Sequence, residues 1–251
     1  MNASGLGFAT PFVNLMRVSY SHIQTSTFFH RLSLKACTTQ PPSQSNPSNT
    51  SRHNHKPART TRTSQFEILE HRPIFQRYQT VYQRDVRFPS GYTVSYDVLG
   101  SVRSDFKSVF VFPFNRMTNR ATVLREYAPG RNAETYSFVA GMYEPAKHND
   151  VYAAAMTELN EEARLKGGQL ISLADNIAAD KYSMNEYFFF LALDCRPDEQ
   201  PANRDDEEWI SGVYDIELSQ VRKLISRGQL NTPNSLLGML ALDKLRDIGF
   251  A

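Results

Sequence analysis

The chain has 251 residues, 41% hydrophobic and 22% charged, which is enough to bury the core of about one or two domains. Residues 1–66 carry 7 of the 28 basic residues and no acidic residue, so the other 21 basic and all 26 acidic residues lie after residue 66. This acidic remainder argues against a nucleic-acid partner, and no apolar run is long enough for a membrane-spanning helix. The only two cysteines, Cys37 and Cys195, exclude a disulfide framework.

Residues 1–66 have the composition of an organellar transit peptide. They contain 10 Ser and 9 Thr, spaced arginines and no Asp or Glu. Four prolines lie between Thr38 and Thr63 among Ser, Asn and Thr, a composition too poor in apolar side chains to form a core. We therefore predict a transit peptide and a disordered linker over residues 1–66. The Ser and Thr excess favours the plastid (chloroplast) as destination, with the mitochondrion as the alternative, and a disordered tail on a cytosolic protein is the other interpretation.

A single domain of mixed α and β structure is predicted from residue 67 to residue 251. Apolar or alternating runs between turn residues predict strands, and apolar side chains at helical spacing predict helices. The predicted strands are Arg77–Phe88, Tyr92–Leu99, Ser108–Phe114, Ala121–Tyr127, Tyr136–Ala140, Gln169–Ser172, Glu186–Leu193 and Trp209–Val213, and the predicted helices are Asp150–Leu165, Glu217–Arg227 and one with Thr232 as N-cap. Asp194–Glu208 is predicted to be mostly loop, and the acidic run at its end is typical of a solvated turn.

The helix predicted at residues 150–165 has one apolar face and one acidic face. Glu158, Glu161 and Glu162 fall within about 100° of each other on the acidic side. Carboxylates three and four residues apart repel each other, and a hard cation such as Mg²⁺ converts this repulsion into binding. The spacing is therefore compatible with a metal site, although by itself it favours an acidic, solvated helix face.

The glycine, loop and helix in this region resemble the Nudix box, G-x5-E-x7-R-E-U-x-E-E-x-G-U, in which U is aliphatic. Gly141 matches the glycine, and the helix has the sequence A-A-M-T-E-L-N-E-E from Ala154 to Glu162. The segments V-L-R-E-Y ending at Tyr127, F-V-A-G ending at Gly141 and K-Y-S-M-N-E ending at Glu186 are similar to segments of the ADP-ribose pyrophosphatase branch of that family. The resemblance covers residues 77–248.

This resemblance implies a Nudix-like α/β/α sandwich built on a mixed sheet, with a loop-helix-loop metal site. It implies that Glu158, Glu162 and the backbone carbonyl of Ala140 hold Mg²⁺, with Mn²⁺ as the alternative. The implied reaction is hydrolysis of the diphosphate bond of a nucleoside diphosphate derivative. ADP-ribose or another ADP-sugar is the expected substrate, and AMP and a sugar phosphate are the expected products.

The resemblance also assigns roles to side chains around the metal site. A carboxylate has to accept a proton from the attacking water, and Glu161 and Glu186 are the candidates. Arg125 is the candidate for phosphate binding, since its planar guanidinium matches phosphate oxygens, with a surface strand cation as the alternative. Many proteins of this branch are dimers, so a homodimer is also expected.

Two other functions remain open because the chain departs from the family pattern. Thr157 and Asn149 replace an arginine and a glutamate of the box, which favours a non-catalytic Nudix-fold protein that binds a nucleotide or a partner. Ala128 and Asp180 replace an arginine and a proline of the ADP-ribose branch, which favours a Nudix hydrolase of another nucleotide substrate.

A structure separates the hydrolases from the non-catalytic protein. A metal site requires the carboxyl groups of the three helix glutamates to converge beside Ala140. A basic side chain between them, such as Lys147 or Lys166, would take the place of the cation and exclude a metal.

Overall fold

Three sheets, three α-helices and one short 3-10 helix, Val102–Ser104, lie within residues 65–250, the part of the chain that the computed structural model describes. The strands are β1 Glu67–Gln76, β2 Thr80–Arg87, β3 Thr93–Gly100, β4 Lys107–Asn115, β5 Arg120–Ala128, β6 Ala133–Ser137, β7 Val139–Met142, β8 Leu165–Lys166, β9 Gln169–Ala178, β10 Glu186–Leu193, β11 Arg196–Pro197 and β12 Ile210–Glu217. The helices are α1 Val151–Glu161, α2 Leu218–Ser226 and α3 Thr232–Asp247. Residues 1–64 of the predicted transit peptide and linker lie outside the described residues.

The largest sheet is mixed and has seven strands. Its main path runs in the order β12-β5-β4-β10-β9, with β6 paired to β5 and β7 paired to β4. Strands β4 and β10 are parallel, and the other pairs in this sheet are antiparallel. A separate antiparallel sheet contains β1, β2 and β3, and β8 pairs with β11.

Helices cover both faces of the seven-stranded sheet. Successive strand residues point to opposite faces, so Phe110, Phe112 and Phe114 of β4 pack in one core with α2 and α3. Val109 and Val111 of the same strand pack in a second core with α1. The predicted α/β/α sandwich on a mixed sheet is therefore confirmed.

Helix α1 ends at Glu161, so the predicted end at Leu165 is wrong. Arg164 adopts φ 61°, in the left-handed region, and Gly167 and Gly168 also have positive φ. A left-handed residue terminates an α-helix, and here it turns the chain into β8. Arg164 takes this conformation at the position where the family pattern has glycine.

Several other predicted boundaries also differ from the structure. Strand β2 begins at Thr80 and not at Arg77, β9 continues to Ala178 beyond Ser172, and β12 continues to Glu217 beyond Val213. The two longer strands extend along the partners with which they pair.

The predicted strand Tyr136–Ala140 is interrupted at Phe138 and forms the end of β6 and the start of β7. The N-cap of α3 is Asn231 and not Thr232, because the Asn231 side chain accepts a hydrogen bond from the Asn234 N–H at 3.0 Å.

Strand β1 was not predicted from the sequence. All ten of its residues are exposed, so it has no buried face and no alternating apolar pattern. It forms by pairing with β2, which contributes the buried residues Thr80, Tyr82 and Val86. Within residues 65–250, no helix combines the length and apolarity that crossing a membrane requires.

Candidate active site

Helix α1 presents its glutamates from a fixed position on the sheet. The Asp150 side chain accepts a hydrogen bond from the Ala153 N–H at 2.8 Å and caps the helix. Ala154, Ala155 and Leu159 are buried against the sheet. The opposite side of the helix is therefore held toward the loops at the sheet edge.

Three carboxyl groups converge at the end of α1. Glu158 and Glu162 lie one helical turn apart, and Glu208 reaches them from the loop that precedes β12. One oxygen of each carboxyl group lies within 4.8 Å of one from each of the others. The sequence predicted the first two, but Glu208 was assigned to a solvated turn because nothing local indicates that this turn folds back onto α1.

The loop after β11 is tied to α1 by side-chain hydrogen bonds. The Asn160 amide donates to the Asp198 carboxylate at 2.8 Å and accepts from the Ala202 N–H at 2.8 Å. Lys166 forms an ion pair with Asp198 at 2.6 Å. These contacts fix the segment that leads to Glu208, and the Asp194–Glu208 segment is thus an ordered part of the site.

Arg204 completes this attachment. Its guanidinium donates to the backbone oxygens of Glu162 at 2.8 Å and Ile210 at 3.3 Å. Within this loop, the backbone N–H of Glu208 donates to the backbone oxygen of Asp205 at 3.0 Å and closes a turn. Arg204 therefore joins the C-terminal end of α1 to the start of β12, on either side of the carboxylate cluster.

Strand β7 forms the wall behind the glutamates. The Ala140 N–H donates to a carboxyl oxygen of Glu162 at 2.9 Å. At Gly141, an added Cβ would lie 1.9 Å from Cδ and Oε1 of Glu158. The carboxyl group of Glu158 therefore fills the space that a side chain at position 141 would take.

The three clustered carboxyl groups are destabilised as anions. Burial and then the neighbouring Glu208 raise the pKa of Glu158 to about 8. Burial and then Glu158 raise the pKa of Glu162 well above its usual value, and burial and then Asp205 raise the pKa of Glu208. Desolvation and like charge act together here, so positive charge at the cluster would be strongly favoured.

No lysine or arginine of residues 65–250 forms an ion pair with the three clustered glutamates. Lys147 pairs with Glu144 at 3.0 Å, and Lys166 pairs with Asp198. Neither side chain occupies the place of a cation. Three converging carboxylates beside a glycine fit a hard divalent cation.

Sequence comparison assigns this domain to a family. Residues 105–231, just over half of the chain, match the NUDIX domain. This chain belongs to the Nudix family. A crystal structure of an ADP compounds hydrolase aligns with a TM-score of 0.64 and 23% identity, over 74% of this chain and 97% of that one, and this likeness shows a shared fold. No curated protein matches the chain in sequence.

The predicted family and enzyme class are therefore confirmed, and the chain is a Nudix-type pyrophosphohydrolase. Enzymes of this family hydrolyse nucleoside diphosphate derivatives and generally use divalent metals. The α1 glutamates of this chain are the acidic residues of the Nudix helix, although Thr157 and Asn149 replace two residues of the box.

A fourth carboxyl group of this Nudix domain lies beside the cluster. Glu126 of β5 is on the same sheet face as Leu124, which packs in the core with α1. Burial raises the pKa of Glu126, and its charge in turn raises the pKa of Glu162 and of Glu208. The sequence signal for Glu126 was its position two residues after the apolar Leu124, because alternation along a strand places both side chains on one sheet face.

The two predicted proton acceptors lie outside the cluster. The pKa of Glu161 is raised by burial and then by Asp205, whereas Lys147 opposes this. Glu186 begins β10, and its N–H donates to the Phe106 oxygen at 2.7 Å. Glu161 thus faces the charged loops around the site, and Glu186 belongs to neither the cluster nor the cavities described below.

Arg125 lies on the other side of the sheet from the Nudix helix. It follows Val123, which packs in the core with α2 and α3, at a spacing of two residues. Its guanidinium forms an ion pair with Glu134 at 3.0 Å and borders a separate cavity with Arg131. The structure therefore does not bring Arg125 to the Nudix glutamates, and its predicted role in phosphate binding stays a prediction.

Two adjoining cavities open beside the carboxylate cluster. The inner cavity, of about 240 Å³, reaches Glu158 and Glu208. The outer cavity, of about 480 Å³, has four acidic residues, two cations and one aromatic ring in its wall. It is lined by Tyr78, Arg103, Met142, Glu144, Lys147, Asp205, Asp206 and Glu207. Tyr78, Met142, Glu144 and Asp205 line both cavities, so the two form one continuous cleft.

His148 stabilises the loop between β7 and α1. It is 7% exposed, and its Nδ1 accepts a hydrogen bond from the Glu144 backbone N–H at 3.1 Å. The backbone N–H of His148 donates to the backbone oxygen of Glu144 at 2.8 Å. Nδ1 therefore carries no proton, and Nε2 is a buried donor without a partner among the described residues. This histidine closes the loop that carries Lys147 beside the cleft.

Proposed function

We propose that this chain is a Mg²⁺-dependent hydrolase that cleaves the diphosphate bond of ADP-ribose or another ADP-sugar and releases AMP and a sugar phosphate. The observation that carries the proposal is the convergence of Glu158, Glu162 and Glu208 at the inner end of an open cleft. Mg²⁺, with Mn²⁺ as the alternative, takes carboxylate oxygens of this kind as ligands.

The carboxylates of the cluster have to hold the cation that the reaction needs. A divalent cation supplies positive charge that neutralises the diphosphate and favours ionisation of the attacking water. Glu158, Glu162 and Glu208 would hold it, with the backbone carbonyl of Ala140 as a further ligand. The Ala140 N–H orients Glu162 through the hydrogen bond to one of its oxygens.

A further carboxylate accepts the proton of the attacking water. Glu161 and Glu186 remain the candidates, and the electrostatic surroundings favour Glu161. Its neighbours Asp205 and Lys147 both line the outer cavity, whereas Glu186 lines neither cavity. Glu161→Gln is therefore expected to reduce kcat more than Glu186→Gln does.

The cleft supplies the groups that a nucleoside diphosphate requires. At the inner end, the carboxylate cluster would hold the cation that meets the phosphate oxygens, and Tyr78, which lines both cavities, is 55% exposed. An exposed aromatic ring provides a stacking surface for a base. The fold neighbour is an ADP compounds hydrolase, which favours adenine as the base.

The proposed reaction is tested by phosphate-coupled hydrolysis with Mg²⁺ or Mn²⁺ over a panel of nucleotides. The panel contains ADP-ribose, ADP-glucose, other nucleoside diphosphate sugars, dinucleotides and reduced nicotinamide cofactors. We expect metal-dependent turnover of an ADP-sugar that falls at least about 100-fold in Glu162→Gln. The exposed loop variant Glu199→Gln is the matched control and retains turnover.

The same panel separates the two alternatives. Preferential turnover of a dinucleotide or of another nucleotide sugar would identify a Nudix hydrolase of different substrate. Nucleotide binding without turnover of any substrate would identify a non-catalytic protein, and Thr157 and Asn149 would then be decisive substitutions.

We further propose that residues 1–66 direct the chain to the plastid and that the domain forms a homodimer. The first 66 residues fused to a fluorescent protein should enter plastids, and a mitochondrial signal would support the alternative destination. Light scattering in solution should give twice the chain mass for a homodimer, and a single chain mass would contradict it.

A further inference from the structure

The wall of the outer cavity has more acidic than basic side chains. Glu144 and Lys147 neutralise each other in an ion pair at 3.0 Å. Among the remaining lining residues, Asp205, Asp206 and Glu207 face a single cation, Arg103. None of these four residues forms an ion pair within residues 65–250. The outer cavity therefore has a surplus of negative charge, which is unusual beside a site for a diphosphate.

The field of these carboxylates extends into the cleft. Asp205 raises the pKa of Glu158 and of Glu208 at the inner end. Glu207 contributes to raising the pKa of Tyr78, whose ring lines both cavities. The negative charge of the acidic wall is therefore felt by side chains inside the cleft.

The two ends of the cleft differ in how negative charge can be compensated. At the inner end, the cluster is able to hold a divalent cation that neutralises a diphosphate. The outer cavity has no comparable group of ligands among the described residues, since its acidic side chains are exposed and spread along a loop. An anionic group placed there would meet uncompensated like charge.

We propose that the acidic wall of the outer cavity, formed by Asp205, Asp206 and Glu207, selects nucleoside diphosphate derivatives whose distal group carries no negative charge. This inference rests on the proposed function and adds the charge of the substrate's distal group to it. An uncharged sugar enters the outer cavity, whereas a sugar that carries a carboxylate or a further phosphate is rejected by repulsion.

Solvent screening sets the size of this discrimination. The wall residues are exposed, so one added carboxylate on the distal group is expected to weaken binding by about tenfold at low salt. The same discrimination should shrink in 0.5 M salt, because the Debye length falls to a few Å.

The test compares ADP-glucose with its glucuronate analogue, which differs by one carboxylate on the distal sugar. Binding to the full-length Glu161→Gln protein, which keeps the three proposed metal ligands and lacks the proposed proton acceptor, is measured by titration calorimetry in the presence of Mg²⁺, so that hydrolysis is suppressed. We expect ADP-glucose to bind about tenfold more tightly. Adding Asp206→Asn and Glu207→Gln should reduce this ratio about fivefold, whereas adding Glu199→Gln, an acidic residue of the same loop that lines neither cavity, should leave the ratio unchanged.

Several outcomes would overturn the inference. Equal affinities, tighter binding of the glucuronate analogue, or a ratio that the double substitution leaves unchanged would each show that the wall does not select by charge. If the unsubstituted protein hydrolyses ADP-glucose while the ratio is near one, the proposed function stands and only the selection fails. If neither ligand binds and the unsubstituted protein hydrolyses no nucleotide, both proposals fail.

Discussion

The carboxyl group of Glu158 occupies the space that a side chain at Gly141 would need. A Cβ at residue 141 would lie 1.9 Å from Cδ and Oε1 of Glu158, a distance that only displacement of the glutamate can relieve. The backbone of Gly141 is not in the left-handed region, so the requirement for glycine here is one of space. One glycine in strand β7 thereby fixes the position of a glutamate in helix α1.

Gly141→Ala should therefore weaken metal binding. We expect at least a tenfold loss of Mg²⁺ affinity, measured by calorimetry, because Glu158 has to leave the cluster. Gly130→Ala is the matched control, since an added Cβ there has no neighbour within 4 Å. Unchanged Mg²⁺ affinity in Gly141→Ala would mean that Glu158 is not a ligand.

Glu158→Gln should stabilise the metal-free protein at high pH. The folded-state pKa of about 8 lies above the ordinary value of 4.5, so the contribution of this carboxyl group to stability is complete below pH 4.5 and is lost as pH rises through 8. At pH 8.5 in EDTA, the substitution is expected to raise the Tm by about 3–6 °C.

The same substitution should have little effect on the Tm at pH 5, where the carboxyl group of the unsubstituted protein is protonated. Differential scanning fluorimetry across pH 5 to 8.5 measures both effects, with Glu199→Gln as the control. A lower Tm for Glu158→Gln at pH 8.5 would contradict the raised pKa.

Binding of Mg²⁺ should strengthen as pH rises. Protons compete with the cation for Glu158, whose pKa is raised to about 8, and for Glu162, whose pKa is also raised. The apparent Kd for Mg²⁺ is expected to fall by about tenfold per pH unit between pH 6 and 8 if one proton is displaced. Titration calorimetry in buffers of different ionisation enthalpy counts the released protons, and a Kd independent of pH would contradict this assignment.

Asn160→Ala should detach the loop that carries Glu208. Asn160 donates to Asp198 and accepts from Ala202, so its loss frees one side of the loop. We expect an approximately tenfold loss of kcat and a fall in Tm of less than about 4 °C. Gln200→Ala, on the same loop, is the control, and full activity in Asn160→Ala would show that Glu208 is held without this contact.

Cys195 should be unreactive in the folded protein. Burial and then Asp194 raise the pKa of its thiol to about 11, and its sulfur donates to the Gly167 oxygen at 3.1 Å. A Cys37→Ser variant contains Cys195 as its only thiol. It should resist a thiol reagent at pH 8 for hours and react fully in guanidinium chloride, and rapid labelling of the folded variant would contradict the burial.

Much of the site was predictable because it is local. Glu158 and Glu162 are four residues apart on one helix, so helical geometry alone places them together. Asp150 is of a residue type that commonly caps helices, and its side chain accepts the capping hydrogen bond from the Ala153 N–H. The fold class followed from alternating and helical patterns.

Glu208 could not be found from local spacing. Glu208 is 46 residues from Glu162 in sequence, and it reaches the cluster only because β12 pairs with β5 and Arg204 joins the loop to α1. Arg125 is the opposite case. Its motif resembles that of the family, but its side chain lies on the sheet face opposite the Nudix helix. Side-chain direction depends on strand pairing and on which helices cover each face, and a motif does not specify these.

The sequence by itself determined the helix that begins near residue 150 and the two clustered glutamates on it, because periodicity and spacing act over a few residues. The mixed sheet was implied by the resemblance of this region to the Nudix family. Only the tertiary structure identified Glu208 as the third carboxylate of the cluster, the cleft beside it and the negative charge of the outer cavity's wall. Loops from four separate parts of the chain meet there, and their meeting depends on long-range packing and hydrogen bonds that bring distant residues into contact.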